Sequence, residues 1–172
     1  MVQKIVIDPG HGGTDTGANG FGLQEKTINL DIALKLMEKL RNYADISMTR
    51  NTDVFVSLPD RAKLANKVGA NLFLSIHSNA GGGTGFESYI YNAAATENQQ
   101  LREVIHEEVA VFYAQSGFVD RGMKKANFEV IRLASMPSVL LENLFIDTKS
   151  DADKLKDPAF RTAIAGAIAS GD

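Results

Sequence analysis

The chain contains no cysteine, which removes disulfides, thiolate metal sites and cysteine nucleophiles together. Any metal must therefore be held by nitrogen and oxygen. No run of about 18 apolar residues occurs either, so no transmembrane helix is expected. Positive charge is not in excess: 18 Lys and Arg against 21 Asp and Glu give a net charge of −3. That balance argues against a nucleic-acid groove or an anionic membrane as partner. No Gly-Lys-Ser/Thr follows the glycines, and their spacing is not that of a dinucleotide-binding turn. Repeats, charge blocks and low-complexity linkers are also lacking, so the 172 residues read as one domain spanning residues 1–172. Such a length buries roughly 70% of the unfolded surface. The start Met1-Val2-Gln3-Lys4 leads straight into a strand, so no signal peptide is expected. Both ends lie hard against secondary structure, which suggests a module of a longer protein.

What is present is an alternation of apolar runs and helical periodicity. Strands are expected at Lys4–Asp8, Ile46–Arg50, Leu72–His77, Phe86–Tyr91, Phe128–Leu133 and Ser138–Glu142. Helices are expected from about Lys26 to Tyr43, Leu58 to Val68, Thr96 to Ser116 and Ala152 to Ala169. In the first helix, Leu30, Ala33, Leu34, Met37 and Leu40 recur at three- and four-residue steps and mark a buried face. Strands separated by helices of this length predict an α/β domain with a mostly parallel, mixed central sheet of about six strands and helices on both faces.

Ten of the 15 glycines fall in two loops, each following an expected strand that ends near a histidine. The first loop contains Asp8-Pro9-Gly10-His11-Gly12-Gly13, the second His77-Ser78-Asn79-Ala80-Gly81-Gly82-Gly83. Open α/β folds bind ligands at the carboxyl edge of the sheet, so His11 and His77 read as two ligands of one metal ion. The third histidine, His106, lies among Glu103, Glu107 and Glu108 and is expected on the surface of a helix. A third ligand must then be a carboxylate, with Asp8, Asp15, Glu25, Glu87 and Glu142 as candidates. Asp8 could instead orient an imidazole. A glutamate aimed at the metal's water would serve as general base. Spacing alone does not rank Glu25, Glu87 and Glu142. Asn79 is a candidate for substrate or for turn chemistry, and Arg50 and Arg61 are expected to be structural ion-pair partners.

Four ordered motifs carry a resemblance: Ile7-Asp8-Pro9-Gly10-His11-Gly12-Gly13, Gln24-Glu25-Lys26, Ser75-Ile76-His77-Ser78-Asn79-Ala80 and Leu140-Leu141-Glu142-Asn143. With Met48-Thr49-Arg50, Leu58-Pro59-Asp60-Arg61, Ala65-Asn66 and Arg121-Gly122-Met123-Lys124 between them, the chain resembles the zinc-dependent N-acetylmuramoyl-L-alanine amidases over nearly its whole length. These are the AmiC- and LytC-like cell-wall hydrolases and related phage endolysin catalytic domains. The resemblance implies one zinc ion on His11, Glu25 and His77, with Glu142 as the catalytic carboxylate. It also implies cleavage of the amide between the lactyl group of N-acetylmuramic acid and the L-alanine of the stem peptide. After Glu142 the family commonly continues with a small residue, Phe and a Ser-Asn-like pair; here Leu144 and Asp147-Thr148 depart from that pattern.

Two other readings compete: a zinc peptidase cutting within the stem peptide, and a catalytically silent wall-binding module. The implied substrate is peptidoglycan, and the implied place of action is the cell wall or periplasm, reached by secretion or as an endolysin released at lysis. An acidic domain has little attraction for an anionic wall, so a separate wall-binding domain is expected in the parent protein.

Overall fold

The computed structural model describes residues 3–171; Met1, Val2 and Asp172 lie outside them, and with them part of the expected start and stop of the chain. In chain order the elements are β1 (Lys4–Pro9), β2 (Asn19–Gly20), β3 (Leu23–Gln24), α1 (Glu25–Leu40), β4 (Asp45–Met48), α2 (Leu58–Val68) and β5 (Leu72–Asn79). There follow β6 (Phe86–Tyr91), α3 (Thr96–Gln115), β7 (Asp120–Ala126), α4 (Glu129–Arg132), β8 (Ser138–Phe145), α5 (Lys149–Lys156) and α6 (Pro158–Ser170).

Six strands form one sheet in the order β4-β1-β5-β8-β6-β7, while β2 and β3 form a separate short ribbon. All neighbours in the large sheet are parallel except β6 and β8, which run antiparallel. The mixed α/β sheet expected from the sequence is thus present. Its larger core lies under α1, α3 and α6, around Ile32, Leu36, Ile105, Val109, Tyr113 and Ile164. On the opposite face a smaller core joins Ala65 of α2 and Val130 and Ile131 of α4 to Val6, Phe73 and Leu140. Because α2 and α4 cover only part of that face, His77 and Glu142 towards the carboxyl ends of β5 and β8 are only partly covered.

Several local expectations are corrected. The stretch Phe128–Leu133 is not a strand: residues 129–132 form α4 and bury Val130 and Ile131 from adjacent positions, which a helical turn permits. The strand in that region is β7, whose charged sequence Asp120-Arg121-Gly122-Met123-Lys124-Lys125-Ala126 suits a sheet edge. The last helix is two. Asp157 accepts the Ala159 N–H at 2.9 Å, and Pro158 occupies the first helical position of α6, so α5 must end there. The buried face of α1 is Ile28, Ile32, Ala33, Leu36 and Leu40, rotated from the expected stripe; Leu30, Leu34 and Met37 are only partly covered.

Candidate metal centre

The first glycine loop is held by backbone hydrogen bonds to β5 and within itself. Gly10 N–H donates to the Ile76 carbonyl at 2.9 Å, and Gly12 and Asp15 exchange two backbone bonds of 2.8 and 3.1 Å. Two buried arginines clamp the carbonyls between strand and loop. Arg61 reaches Pro9 O at 2.7 Å and His11 O at 2.7 Å, and Arg50 reaches Pro9 O at 3.0 Å and Gly10 O at 2.9 Å. His11 is thereby kept at φ 62°, a conformation uncommon outside glycine. Its Nδ1 lies 2.8 Å from Asp15 Oδ2, leaving Nε2 to point inward.

His77 enters from the end of β5 and lies flat over Gly10, where an added Cβ would stand 2.2 Å from its Cε1. The two imidazoles meet edge to face, with centroids 5.1 Å apart and planes at 79°. Glu25, the first residue of α1, completes the group: its Oε2 is 3.1 Å from His11 Nε2 and its Oε1 is 3.0 Å from His77 Nδ1. Ala18 N–H, Asn29 Nδ2 and Ser78 N–H also donate to this carboxylate, at 2.9, 3.2 and 3.3 Å. One ligand atom from each of His11, Glu25 and His77 lies within 4.8 Å of the others, a group that could hold a metal ion.

The electrostatics of the trio favour a cation. Burial works to raise the Glu25 carboxyl, but hydrogen bonds from both imidazoles outweigh it and hold the group well below the usual carboxylate range. Against its own burial, His11 is pushed up to about 9 by Glu25 and Asp15; His77 is raised likewise by Glu25 and Glu142. A site that draws protons onto two bases this strongly also suits a metal cation, which competes for the same lone pairs.

Glu142 stands on β8 directly opposite His77 on β5 and opposite Glu87 on β6. It is outside the trio of ligand atoms. Its Oε2 is buried with no hydrogen-bond partner among the described residues. Burial, aided by the charges of Glu25 and Glu87 and opposed by His77, pushes this carboxyl up to about 7. A buried carboxylate without a partner, beside a cation-seeking cluster, fits a group that takes and returns a proton near neutral pH.

The other candidates lie elsewhere. Asp8 touches neither imidazole: Thr49 and Arg61 occupy its Oδ1 at 2.6 and 2.8 Å, and Ser75 its Oδ2 at 2.7 Å. Asp15 supports His11 from outside the trio. Glu87 is buried under Asn79, Tyr89, Arg121 and Lys124, and Lys124 and Arg121 hold its carboxyl near 2 against its burial. Asn79 donates to Glu87 at 2.7 Å and accepts the Ala80 N–H at 2.9 Å. Arg61 does pair with Asp8, whereas Arg50 is bonded to carbonyl oxygens rather than to an acid.

His106 is a correction. It is buried, stacked near Phe86, with Nδ1 2.7 Å from Ser88 Oγ and Nε2 3.0 Å from Asp120 Oδ1. Although these three groups occur in the order of a nucleophile relay, Ser88 is fully buried, so no substrate reaches its hydroxyl.

Sequence reasoning missed Asn29, although its position one turn after Glu25 on the buried face was the available signal. Asp147 and Thr148, which depart from the usual family run, pin the second glycine loop. Asp147 accepts from Gly81 and Gly82 N–H at 2.8 and 3.1 Å, and Thr148 donates to Gly83 O at 2.5 Å. Leu144 sits at φ 64° and is fully buried, so core packing opposes its backbone strain.

The profile of the N-acetylmuramoyl-L-alanine amidases matches residues 5–171. A sporulation-specific N-acetylmuramoyl-L-alanine amidase of Bacillus subtilis is 52% identical over 171 residues, 98% of this chain and 66% of the relative. The endolysin of Bacillus phage SPP1 is 42% identical over 176 residues, 99% of this chain and 65% of that protein. The chain thus spans slightly under two thirds of the length of these curated relatives. Among solved structures, the catalytic domain of the amidase CwlV from Bacillus (Paenibacillus) polymyxa var. colistinus superposes with a TM-score of 0.90 at 36% identity, covering 98% of this chain and 95% of that one.

Proposed function

We propose that this chain, which belongs to the N-acetylmuramoyl-L-alanine amidase family, hydrolyses the amide between the lactyl group of N-acetylmuramic acid and the L-alanine of the stem peptide. The observation that carries the reading is the placement of Glu142, unpartnered at Oε2, in direct register with His77 of the His11–Glu25–His77 trio on the adjacent strand.

Two imidazoles and one carboxylate are the donor set of catalytic zinc sites, which keep one position open. His11 Nε2, His77 Nδ1 and one Glu25 oxygen are the atoms that would hold the ion. Bound zinc supplies a Lewis acid for the scissile carbonyl and lowers the pKa of water towards about 7. Glu142 takes the proton of the attacking water on its unpartnered Oε2 and returns it to the leaving L-alanine nitrogen. Gly10 and Gly17 keep the space beside the trio free of side chains, since a Cβ at Gly17 would stand 2.6 Å from Glu25 Oε2. Asp15 orients His11, and Asn29 with the Ala18 N–H orients Glu25.

This substrate puts the work in the cell wall or periplasm, whether the parent is a secreted autolysin or an endolysin. With a net charge of −3, wall attachment falls to a separate domain of the parent protein.

Metal analysis of the wild type and Glu142→Gln tests the reading. Both proteins should carry one zinc per chain, and only the wild type should release amino groups from purified wall. An active Glu142→Gln enzyme would overturn the assignment.

A further inference from the structure

Beyond Glu142 the same face of the sheet carries a second polar cluster that the reaction above does not use. Glu87 stands opposite Glu142 on the next strand, and Lys124 of β7 stands opposite Tyr89 of β6. With strands spaced about 4.8 Å apart, Glu87 lies about 10 Å from the strand of His77. Arg121 Nε donates to Glu87 Oε2 at 2.8 Å, and the Lys124 ammonium reaches the same oxygen. Tyr89 Oη and Asn79 Nδ2 each donate to Oε1 at 2.7 Å.

This arrangement holds more positive charge than Glu87 requires. One buried carboxylate with two neutral donors is satisfied by a single cation, yet two converge on it. Both cations remain reachable, with about a third of each side chain exposed (34% for Arg121, 36% for Lys124). Arg121 has no hydrogen bond besides the one through Nε among the described residues, which leaves its Nη atoms without a partner there. Aromatic rings fix both heads: Arg121 lies 4.8 Å from the Phe145 centroid and Lys124 lies 5.9 Å from that of Tyr89. Phe145 is itself held under Gly83, where an added Cβ would meet its ring at 2.5 Å.

We propose that Arg121 and Lys124 form the recognition site for a free carboxylate on the leaving peptide, carried about two residues beyond the scissile amide. The inference rests on the amidase reading. Two extended residues span roughly 7 Å, which carries a peptide from the amide held between His77 and Glu142 to the strand of Glu87, where the heads of Arg121 and Lys124 converge. A planar guanidinium fork beside an ammonium selects a carboxylate over the uncharged amide of the same shape.

The test compares two synthetic N-acetylmuramyl peptides that differ only in this group, free acid or primary amide. Wild-type kcat/KM should favour the acid by about tenfold, the scale of a charge-assisted hydrogen bond. In Arg121→Gln/Lys124→Gln that ratio should collapse towards one, while Lys124→Arg should retain most of it. Should the double variant fail to fold, the wild type alone decides, because its preference should shrink as salt screens the half-exposed cations. An unchanged ratio in the double variant, or a salt-independent or absent preference in the wild type, overturns the subsite alone. A wild type inert on both peptides overturns the amidase reading and the subsite with it.

Discussion

His77 and Glu142 face each other across adjacent parallel strands, in direct register between β5 and β8. The separation of the proposed metal ligand and the proposed proton acceptor is therefore set by the sheet, the most rigid part of the fold, rather than by a loop. The loops supply the rest: His11 and the space above the pair come from glycine-rich segments whose geometry depends on close packing.

That dependence is sharpest at Gly10. Alanine is compatible with its backbone, since Gly10 has no positive φ, but its methyl would meet the His77 ring at 2.2 Å. Gly10→Ala should remain folded while losing most of its bound zinc and at least a hundredfold in activity, a displacement of about 1 Å being enough. Metal content and rate on the same preparation check this. A variant with full zinc occupancy would show that the ring is not confined as described.

Arg61 should matter for stability rather than chemistry. It is almost wholly buried and bonds Asp8, the Pro9 and His11 carbonyls and Val56 O. Arg61→Met leaves the Asp8 charge buried without its partner, a change on the order of 3–5 kcal/mol. Urea unfolding should show that loss, with a midpoint well below wild type. A midpoint within 0.5 kcal/mol-equivalent of wild type, about the scatter of surface substitutions, would contradict the clamp.

The buried His106 gives a pH dependence separate from the metal. Burial outweighs the pull of Asp120 and lowers its pKa below the ordinary value of 6.5. The unfolded chain therefore binds a proton that the folded protein resists, so this contribution is complete above pH about 6.5 and lost as pH falls below it. Melting temperatures between pH 7.5 and 5 should fall more steeply in the wild type than in His106→Gln. Equal slopes would mean that His106 is not held neutral.

Much of this was legible in the sequence, for physical reasons that can be named. The mixed sheet was readable because β1, β5 and β8 are apolar runs with distinct ends, and the histidine pair because both residues sit where those runs meet glycine; Glu25 was singled out only by the family resemblance. Strand β7 was not, since an edge strand of charged residues with Gly122 at φ 88° shows no apolar alternation. The surface placement of His106 failed because three glutamates surround it in sequence, whereas its own position faces Ser88 and Phe86. The cation pair was hidden for the same reason as β7. Glu25, Glu87 and Glu142 looked alike in the sequence, and their neighbours in space set them apart. Two imidazoles surround Glu25, two cations cover Glu87, and Glu142 Oε2 has no hydrogen-bond partner among the described residues.

Removal of metal should leave the fold intact, because the hydrogen bonds of Asn29 and Ala18 to Glu25 persist without it. Activity should disappear on chelation and return with zinc. The melting temperature should rise with added zinc, as for any ligand of the folded state, by about 2.7 kcal/mol of stability at a hundredfold excess over Kd. Calorimetric scans across a zinc series measure it. A melting temperature indifferent to zinc would argue against a site in the trio.

An amidase differs from a stem-peptide peptidase in the identity of the bond that is cut. Mass spectrometry of purified peptidoglycan after digestion decides it most directly. Cleavage at the lactyl–alanine amide should give new peptides that begin with a free L-alanine amino group, together with glycan strands bearing free lactyl acids. Fragments with new termini inside the stem peptide, and lactyl–alanine bonds intact, would contradict it and point to a peptidase.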